Sequence, residues 1–290
     1  MTDLVSIKRK KKPSLTEDDL YGDQIRFFTQ SEMDGREVQR QLGKAQVAIF
    51  GAGAVGSHTS AALASSGVGA LRIIDDARVT KPDLTGNRFL DIQDLERGRA
   101  EALVLHLNQT KNSDLKCENV SADIESDDEL QNVVKGMDCV LVCMDSPAPA
   151  LFDRINQICL KTQVRWIAGQ IYRGLGIVGP TIIPFESPCF KCYELRRNAN
   201  LVNYEEIEQY ETRLRQLKAI KNPSLAPKPL AVCMGGLLAL EAIRLIVGQA
   251  FPQTIGRILR IDFFAPEMTY HRILRLPNCP ACGARSGRAT

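Results

Sequence analysis

Short apolar runs alternate along this chain with longer stretches whose apolar positions recur at helical spacing. Gln46-Val-Ala-Ile-Phe50, Leu71-Arg-Ile-Ile74, Cys139-Val-Leu-Val-Cys143 and Val164-Arg-Trp-Ile-Ala168 have the length and composition of buried strands. Between them, helices are predicted over 21–42 with a break at Asp34-Gly35, over 57–66 with a stop at Gly67-Val-Gly69, and over 95–107, 128–134 and 148–161. The 57–66 segment is rich in Ala and Ser, which suits a helix lying close on a sheet. Strands alternating with helices predict an α/β fold: a Rossmann-like, doubly wound, mostly parallel sheet.

The pattern changes after about residue 186. Residues 186–229 are polar and contain one amphipathic helical stretch, 204–220. An apolar helix over 230–247 stops at Gly248. Residues 257–264 and 270–276 then alternate apolar and polar, as two antiparallel strands extending the sheet. No repeat or low-complexity block interrupts this order. The expected organisation is a disordered basic arm over 1–20 and a single domain over 21–290. The arm carries Lys8, Arg9, Lys10, Lys11 and Lys12, and reads either as a solvated tail or as a tail that docks on an acidic partner.

Composition narrows the function classes. With 44% apolar and 24% charged residues in 290, the chain has an ordinary soluble balance, and its net charge of +3 is too small to make nucleic acid or membrane the main partner. The apolar stretch 230–240 is broken by Glu241 and Arg244 and reads as too short to span a bilayer. The N-terminus has no apolar signal region, so a cytoplasmic location is expected. Nine cysteines, an odd number, then argue against a disulfide framework and direct attention to their spacing.

Two motifs carry chemistry. Gly51-Ala52-Gly53-Ala54-Val55-Gly56 matches G-x-G-x-x-G directly after a predicted strand and before a predicted helix. In that context the first glycine permits the tight turn, the second admits phosphates to the backbone, and the third lets helix and strand approach. The helix N-terminus offers free amides and a positive dipole end to a nucleotide. Asp75 follows Gly51 by 24 residues and ends the second strand, where a carboxylate accepts ribose hydroxyls; Asp76 beside it is the alternative. Asp145 follows the 139–143 strand, either facing the ligand crevice, where it could hold Mg²⁺, or capping the helix after Pro147. Cys189-Phe-Lys-Cys192 and Cys279-Pro-Ala-Cys282 are two C-x-x-C pairs separated by 86 residues. Two such knuckles suit a closed, structural Zn²⁺ site that staples distant segments. A redox role is disfavoured because neither pair is expected to open a helix after a strand.

These pieces, in this order, resemble the ThiF/MoeB/HesA family, relatives of the activating enzymes of ubiquitin-like conjugation. The resemblance rests on Tyr21-Gly-Asp-Gln-Ile-Arg26, Gly51 to Gly56, Asp75, Met144-Asp145, the two cysteine pairs and Gly235-Gly-Leu-Leu-Ala-Leu-Glu-Ala-Ile-Arg244, and covers about residues 21–283. It implies ATP and Mg²⁺ as cofactors with structural Zn²⁺, and adenylation of a carboxylate on a ubiquitin-like carrier protein or a peptide. By analogy it also implies a homodimer. Three positions depart from the family pattern. Asp23 stands where the family has a phosphate-reaching arginine, and Gly86 stands at a second arginine unless a two-residue shift brings in Arg88. Arg99, 24 residues after Asp75, stands for the catalytic lysine and keeps its charge but not its geometry. Arg99, Asp145 and Arg88 are therefore the candidate catalytic residues, with Gly51, Ala52, Gly53, Gly56, Asp75 and Asp76 as nucleotide contacts. The sequences 188–196 and 275–283 look like the branch that matures ribosomal peptides. Some members of that branch have lost adenylation and present a precursor peptide to a separate modifying enzyme, usually through an N-terminal peptide-binding module for which the residues before Gly51 are too few. The 193–229 crossover has no cysteine to form a thioester, and Cys233 reads as a core residue. An oxidoreductase reading of the glycine turn is disfavoured by the cysteine staple and by the absence of histidine near a motif.

Overall fold

The structure, a computed structural model, describes residues 16–109, 115–120, 126–172, 174–216, 227–248, 251–265 and 267–283. Most of the expected basic arm and residues 284–290 lie outside the described residues. The chain opens with helices α1 (Glu17–Gln30) and α2 (Gly35–Lys44), and Asp34 caps the second by accepting from the Glu37 amide at 3.1 Å. There follow β1 (Gln46–Phe50), α3 (Ala54–Ser65), β2 (Ala70–Ile74), α4 (Lys81–Gly86), α5 (Arg99–Asn108), β3 (Lys116–Asn119), α6 (Asp127–Val134), β4 (Cys139–Met144), α7 (Pro149–Thr162) and β5 (Trp166–Tyr172). The second half runs β6 (Leu175–Ile182), α8 (Phe190–Ala199), α9 (Tyr204–Gln216), α10 (Lys228–Val247), β7 (Arg257–Asp262) and β8 (Met268–Arg272).

Among the described residues the strands form one eight-stranded sheet, in the order β3-β2-β1-β4-β5-β6-β7-β8. The first five run parallel and the last three antiparallel, so the expected mixed α/β sheet is the observed one. The strand order reverses between β1 and β4, and in such sheets ligands bind in the crevice outside the carboxyl ends at that point. The glycine turn leaves β1 there, and Asp145 leaves β4 beside it.

The alternation within each strand divides the core. Val47, Ile49, Leu71, Ile73 and Leu141 face α3, α5 and α10, while Ala48, Phe50, Ile74, Val140 and Val142 face α6 and α7. Close approach of α10 depends on missing side chains. A Cβ on Gly235 would lie 2.6 Å from the His58 Cβ on α3, and one on Gly169 of β5 would lie 2.5 Å from a Leu238 methyl.

Several expectations change. The helix expected over 95–107 begins at Arg99, because residues 92–98 form a 3₁₀ turn and a bridge to Arg78. The 204–220 helix is observed to Gln216, and 217–220 lie outside the described residues. The expected terminal strand over 270–276 is observed as Met268–Arg272. The segment beginning at Leu230 is not too short to span a bilayer. Among the described residues the 20-residue α10 is the one helix that passes by length and composition, with a mean hydropathy of 2.1 over its most apolar 18 residues, 56% of that stretch being buried. Here it packs against α3 and the middle of the sheet, and its Glu241 is spent inside the protein, accepting from the Gln253 amide at 3.0 Å and the Thr254 amide at 2.8 Å.

Candidate functional site

The site is built on the β1–α3 turn. Gly51 adopts φ +101°, a conformation that disfavours any L side chain, and a Cβ there would also lie 2.3 Å from the Cys143 carbonyl of β4. At Gly56 a Cβ would lie 1.8 Å from the Gly51 carbonyl, and at Gly53 it would lie 2.0 Å from the Asp145 carboxylate. Gly51 thus serves turn closure, Gly53 the approach of the carboxylate and Gly56 the packing of the helix on the turn.

Asp145 lies over the N-terminus of α3. Its Oδ2 accepts from the Ala54 amide at 2.6 Å and its Oδ1 from the Val55 amide at 2.9 Å. It caps α3, not the helix after Pro147, whose first turn has no side-chain cap among the described residues. Burial pushes this carboxyl up from its ordinary value; the two amides and the charge of Arg99 oppose that shift without cancelling it.

Asp75 lies across the same turn and accepts from the Ala52 amide at 2.6 Å and the Ala77 amide at 2.9 Å. Arg99, at the first position of α5, forks onto it with Nε at 3.0 Å and Nη2 at 2.8 Å from Oδ2. Its Nη1 reaches Asp83 at 3.3 Å. Burial works against the charge on Arg99, but Asp75, Asp83 and Asp145 outweigh it and raise the guanidinium's pKa.

Of the residues proposed from sequence, Gly51, Ala52, Gly53, Gly56, Asp75, Arg99 and Asp145 meet at this turn. Asp76 is exposed beside it. Arg88 is exposed too, with its guanidinium 5.8 Å from the Phe89 ring and facing His58 of α3, outside the Asp75 ion-pair cluster. Arg26 pairs with Asp23 on the exposed face of α1. That helix meets the other end of α3, where the Gln24 side chain donates to the Ser66 carbonyl at 2.9 Å. A helix of this length puts the two ends about 18 Å apart, so neither Asp23 nor Arg26 reaches the turn of its own chain.

Two further residues, Asp83 and Asn87, support the turn. Asp83 holds Arg99, and its signal was the Thr80-x-x-Asp83 capping box that starts α4, with the Thr80 Oγ1–Asp83 contact at 2.7 Å. Asn87 is buried behind the turn and accepts from the Phe89 amide at 3.0 Å. Its sequence signal is its place in Asp83-Leu84-Thr85-Gly86-Asn87-Arg88, the stretch that resembles the family's Asn-Leu-x-Arg-Gln.

The second candidate site is the cysteine cluster. Cys189, Cys192, Cys279 and Cys282 are all buried, and their sulfurs lie within 4.8 Å of one another. The closest pairs are 3.9 Å (189–192), 3.7 Å (189–279) and 3.6 Å (192–282). A tetrahedral zinc with Zn–S bonds of about 2.3 Å has sulfur–sulfur edges of roughly 3.8 Å, so the cage fits that ion. The Leu276 amide points at the Cys192 sulfur at 3.4 Å. The first pair does open a helix, since Cys189 is the N-cap of α8, so that ground for setting aside a redox role fails. The cage supplies a better one: sulfurs of the two pairs approach each other as closely as the two within the first pair. Cys233 is half-buried against the main core.

Residues 21–281 match the model of the ThiF family. The chain belongs to the ThiF family. It is 26% identical over 254 residues to the molybdopterin-synthase adenylyltransferase of Escherichia coli, covering 87% of this chain and 91% of that one. It is 27% identical over 250 residues to the heterocyst protein HesA of Trichormus variabilis, covering 86% and 84%. Among solved structures, E. coli MccB with ATP superposes with a TM-score of 0.77 at 22% identity, over 91% of this chain and 74% of that one. Another form of MccB, described as a microcin C7 biosynthetic enzyme, is in complex with N-formylated MccA at a TM-score of 0.77 and 20% identity, covering 92% and 76%. At those identities the MccB structures establish the shared ThiF-type fold.

Proposed function

We propose that this ThiF-family chain is an ATP-dependent adenylyltransferase that activates a carboxylate of a small carrier protein or a peptide. The observation that carries the reading is the convergence of Asp75, Arg99 and Asp145 on one glycine turn at the sheet's switch point. Asp75 takes the ribose in preference to the exposed Asp76. The positive dipole end of α3, whose Ala54 and Val55 amides Asp145 already holds, faces the phosphates, and Arg99 supplies positive charge beside it. Mg²⁺ suits the oxygen donor of Asp145 and would neutralise charge on the triphosphate. The acceptor's carboxylate oxygen attacks the α-phosphorus, the bond to the bridging oxygen breaks, and pyrophosphate leaves. Positioning and cations supply most of the rate in such a transfer. The adenylyltransferase name of the E. coli relative supports the reaction type, and the ATP and MccA complexes of MccB support a peptide as acceptor.

The test is exchange of labelled pyrophosphate into ATP in the presence of the acceptor. Asp145→Asn keeps an acceptor for the α3 amides and is expected to lower exchange at least about 100-fold. Wild-type protein that binds an acceptor tightly yet gives no exchange would overturn the reading. That result would favour the second one, a binding protein that presents a precursor peptide to a separate modifying enzyme. The charge reversal at Asp23 is the observation that favours this alternative.

We assign Zn²⁺ to the four-cysteine cage, where it would act structurally, and expect about one zinc per chain by metal analysis. Pure, folded, metal-free protein refutes that assignment. A homodimer has a face to use: Val232 and Leu240 leave about half their surface exposed on the outer side of α10, 48% and 49%. Light scattering that returns a monomer at micromolar concentration removes the dimer from the proposal.

A further inference from the structure

The Asp75 carboxylate has no acceptor capacity left. A carboxylate offers about four lone-pair sites. Oδ1 receives the Ala77 amide at 2.9 Å and Arg99 Nη2 at 3.1 Å, and Oδ2 receives the Ala52 amide at 2.6 Å, Arg99 Nε at 3.0 Å and Arg99 Nη2 at 2.8 Å. The side chain is 4% exposed. A ribose diol needs acceptors on this group. The two amides belong to the backbone of the turns on either side and cannot leave without undoing them. The guanidinium can leave: it is a side chain, it already reaches a second carboxylate, Asp83, at 3.3 Å, and it lies within electrostatic reach of Asp145 at the N-terminus of α3.

We propose that Arg99 is a latch on Asp75 that a nucleotide must release, and that it thereby sets the preference for phosphorylated nucleotides over nucleosides. This inference rests on the reading of the glycine turn as a nucleotide site. Ribose hydroxyls take the acceptor positions that Arg99 vacates, and the released guanidinium turns toward the phosphates beside α3. A nucleoside opens the latch with no phosphate to satisfy the freed cation. A nucleoside triphosphate opens it and gives the cation a new partner. Arg99 is in this sense a positioning residue: it acts on the ribose through Asp75.

The experiment is calorimetric titration of the full chain with adenosine and, separately, with ATP and Mg²⁺, for wild type, Arg99→Gln and Arg99→Lys. When a binding-competent form is one part in ten, making it dominant tightens binding about tenfold. Arg99→Gln is expected to bind adenosine about tenfold more tightly and ATP about tenfold more weakly. Arg99→Lys cannot fork onto Asp75, so adenosine stays tightened, while the retained charge brings ATP back to within about threefold of wild type. A purely structural role moves both ligands in the same direction. Wild type that binds ATP, with variants that bind adenosine no better, overturns the latch and leaves the nucleotide site standing. Wild type that binds neither ligand overturns both. A readout without substitution covers variants that do not fold: in labelled wild-type protein, the Arg99 Nε–H should exchange faster with solvent when adenosine saturates the site. Unchanged exchange at saturation overturns the latch.

Discussion

The parallel and antiparallel halves of this sheet satisfy their polar groups in opposite ways. At the carboxyl ends of β1, β2 and β4, carboxylates and a guanidinium hold one another and the turn amides, and the Arg99 fork on Asp75 is made by a side chain that is free to turn away. In the other half the polar groups are closed off. Glu241 is filled by Arg244, two loop amides and the Thr254 hydroxyl, and the four sulfurs face one another. Beside the sulfurs, Phe190 stacks on Phe152 at 4.8 Å and meets Trp166 at 5.7 Å. Farther along the same side, Lys191 and Arg215 meet at Glu194, tying α8 to α9. A sheet that must bind and release at one end gains from having the other end fixed, because the shape of the crevice then depends little on what fills it.

That contrast can be broken from either side. The largest effect should come from the cage: Cys192→Ser, or stripping metal with a strong chelator, removes an interaction worth several kcal/mol and should lower the thermal midpoint by more than about 10 °C. An unchanged melting curve would mean that sulfur and aromatic packing alone fix this half. Trp166→Ala should cost about 3–5 kcal/mol in denaturant titrations. Trp166→Phe should cost less than about 1.5 kcal/mol, because the buried indole N–H has no hydrogen-bond partner among the described residues. Gly56→Ala drives a methyl into the Gly51 carbonyl and should cost about 3 kcal/mol together with measurable nucleotide binding.

The smallest expected effect concerns pH. Burial and the nearby charge of Arg88 lower the pKa of His58 on α3. Its folded value lies below the unfolded one, so its contribution is complete above the ordinary imidazole pKa of about 6.5 and is lost as pH falls through the folded value. Urea midpoints should therefore fall between pH 7.5 and 5, and His58→Gln should flatten part of that fall. An identical slope in the variant would assign the acid sensitivity to other groups.

Most of the parallel half was legible in the sequence, because every strand of it but β3 is an apolar run closed by a turn signal and the glycine motif has a fixed place between strand and helix. The antiparallel half was harder to read. β6 carries Gly176, Gly179 and Pro180, which look like punctuation. At Gly176 the glycine serves contact, since a Cβ would lie 2.8 Å from the Met234 sulfur on α10. In the parallel half the exception is the edge strand β3, Lys-Cys-Glu-Asn, which is polar and has no alternation to detect. The cysteine pairs were visible as motifs, but that the first begins a helix was not. In the site, the residue types could be found while their mutual partners could not. No spacing rule says that Asp145 caps α3, or that Arg99 spends its fork on Asp75 and not on a phosphate.

The 86 residues between the two cysteine pairs have a consequence for how the protein is made. Synthesis proceeds from the N-terminus, so the turn at 51–56 and all five parallel strands leave the ribosome long before Cys279 and Cys282. The crevice can assemble early, but the cage has only half its ligands until β8 has been translated. Closure of the four-sulfur cage therefore reports that every strand of the sheet has been delivered, and a chain cut short after β6 would carry a formed glycine turn without the fastening that fixes its far side.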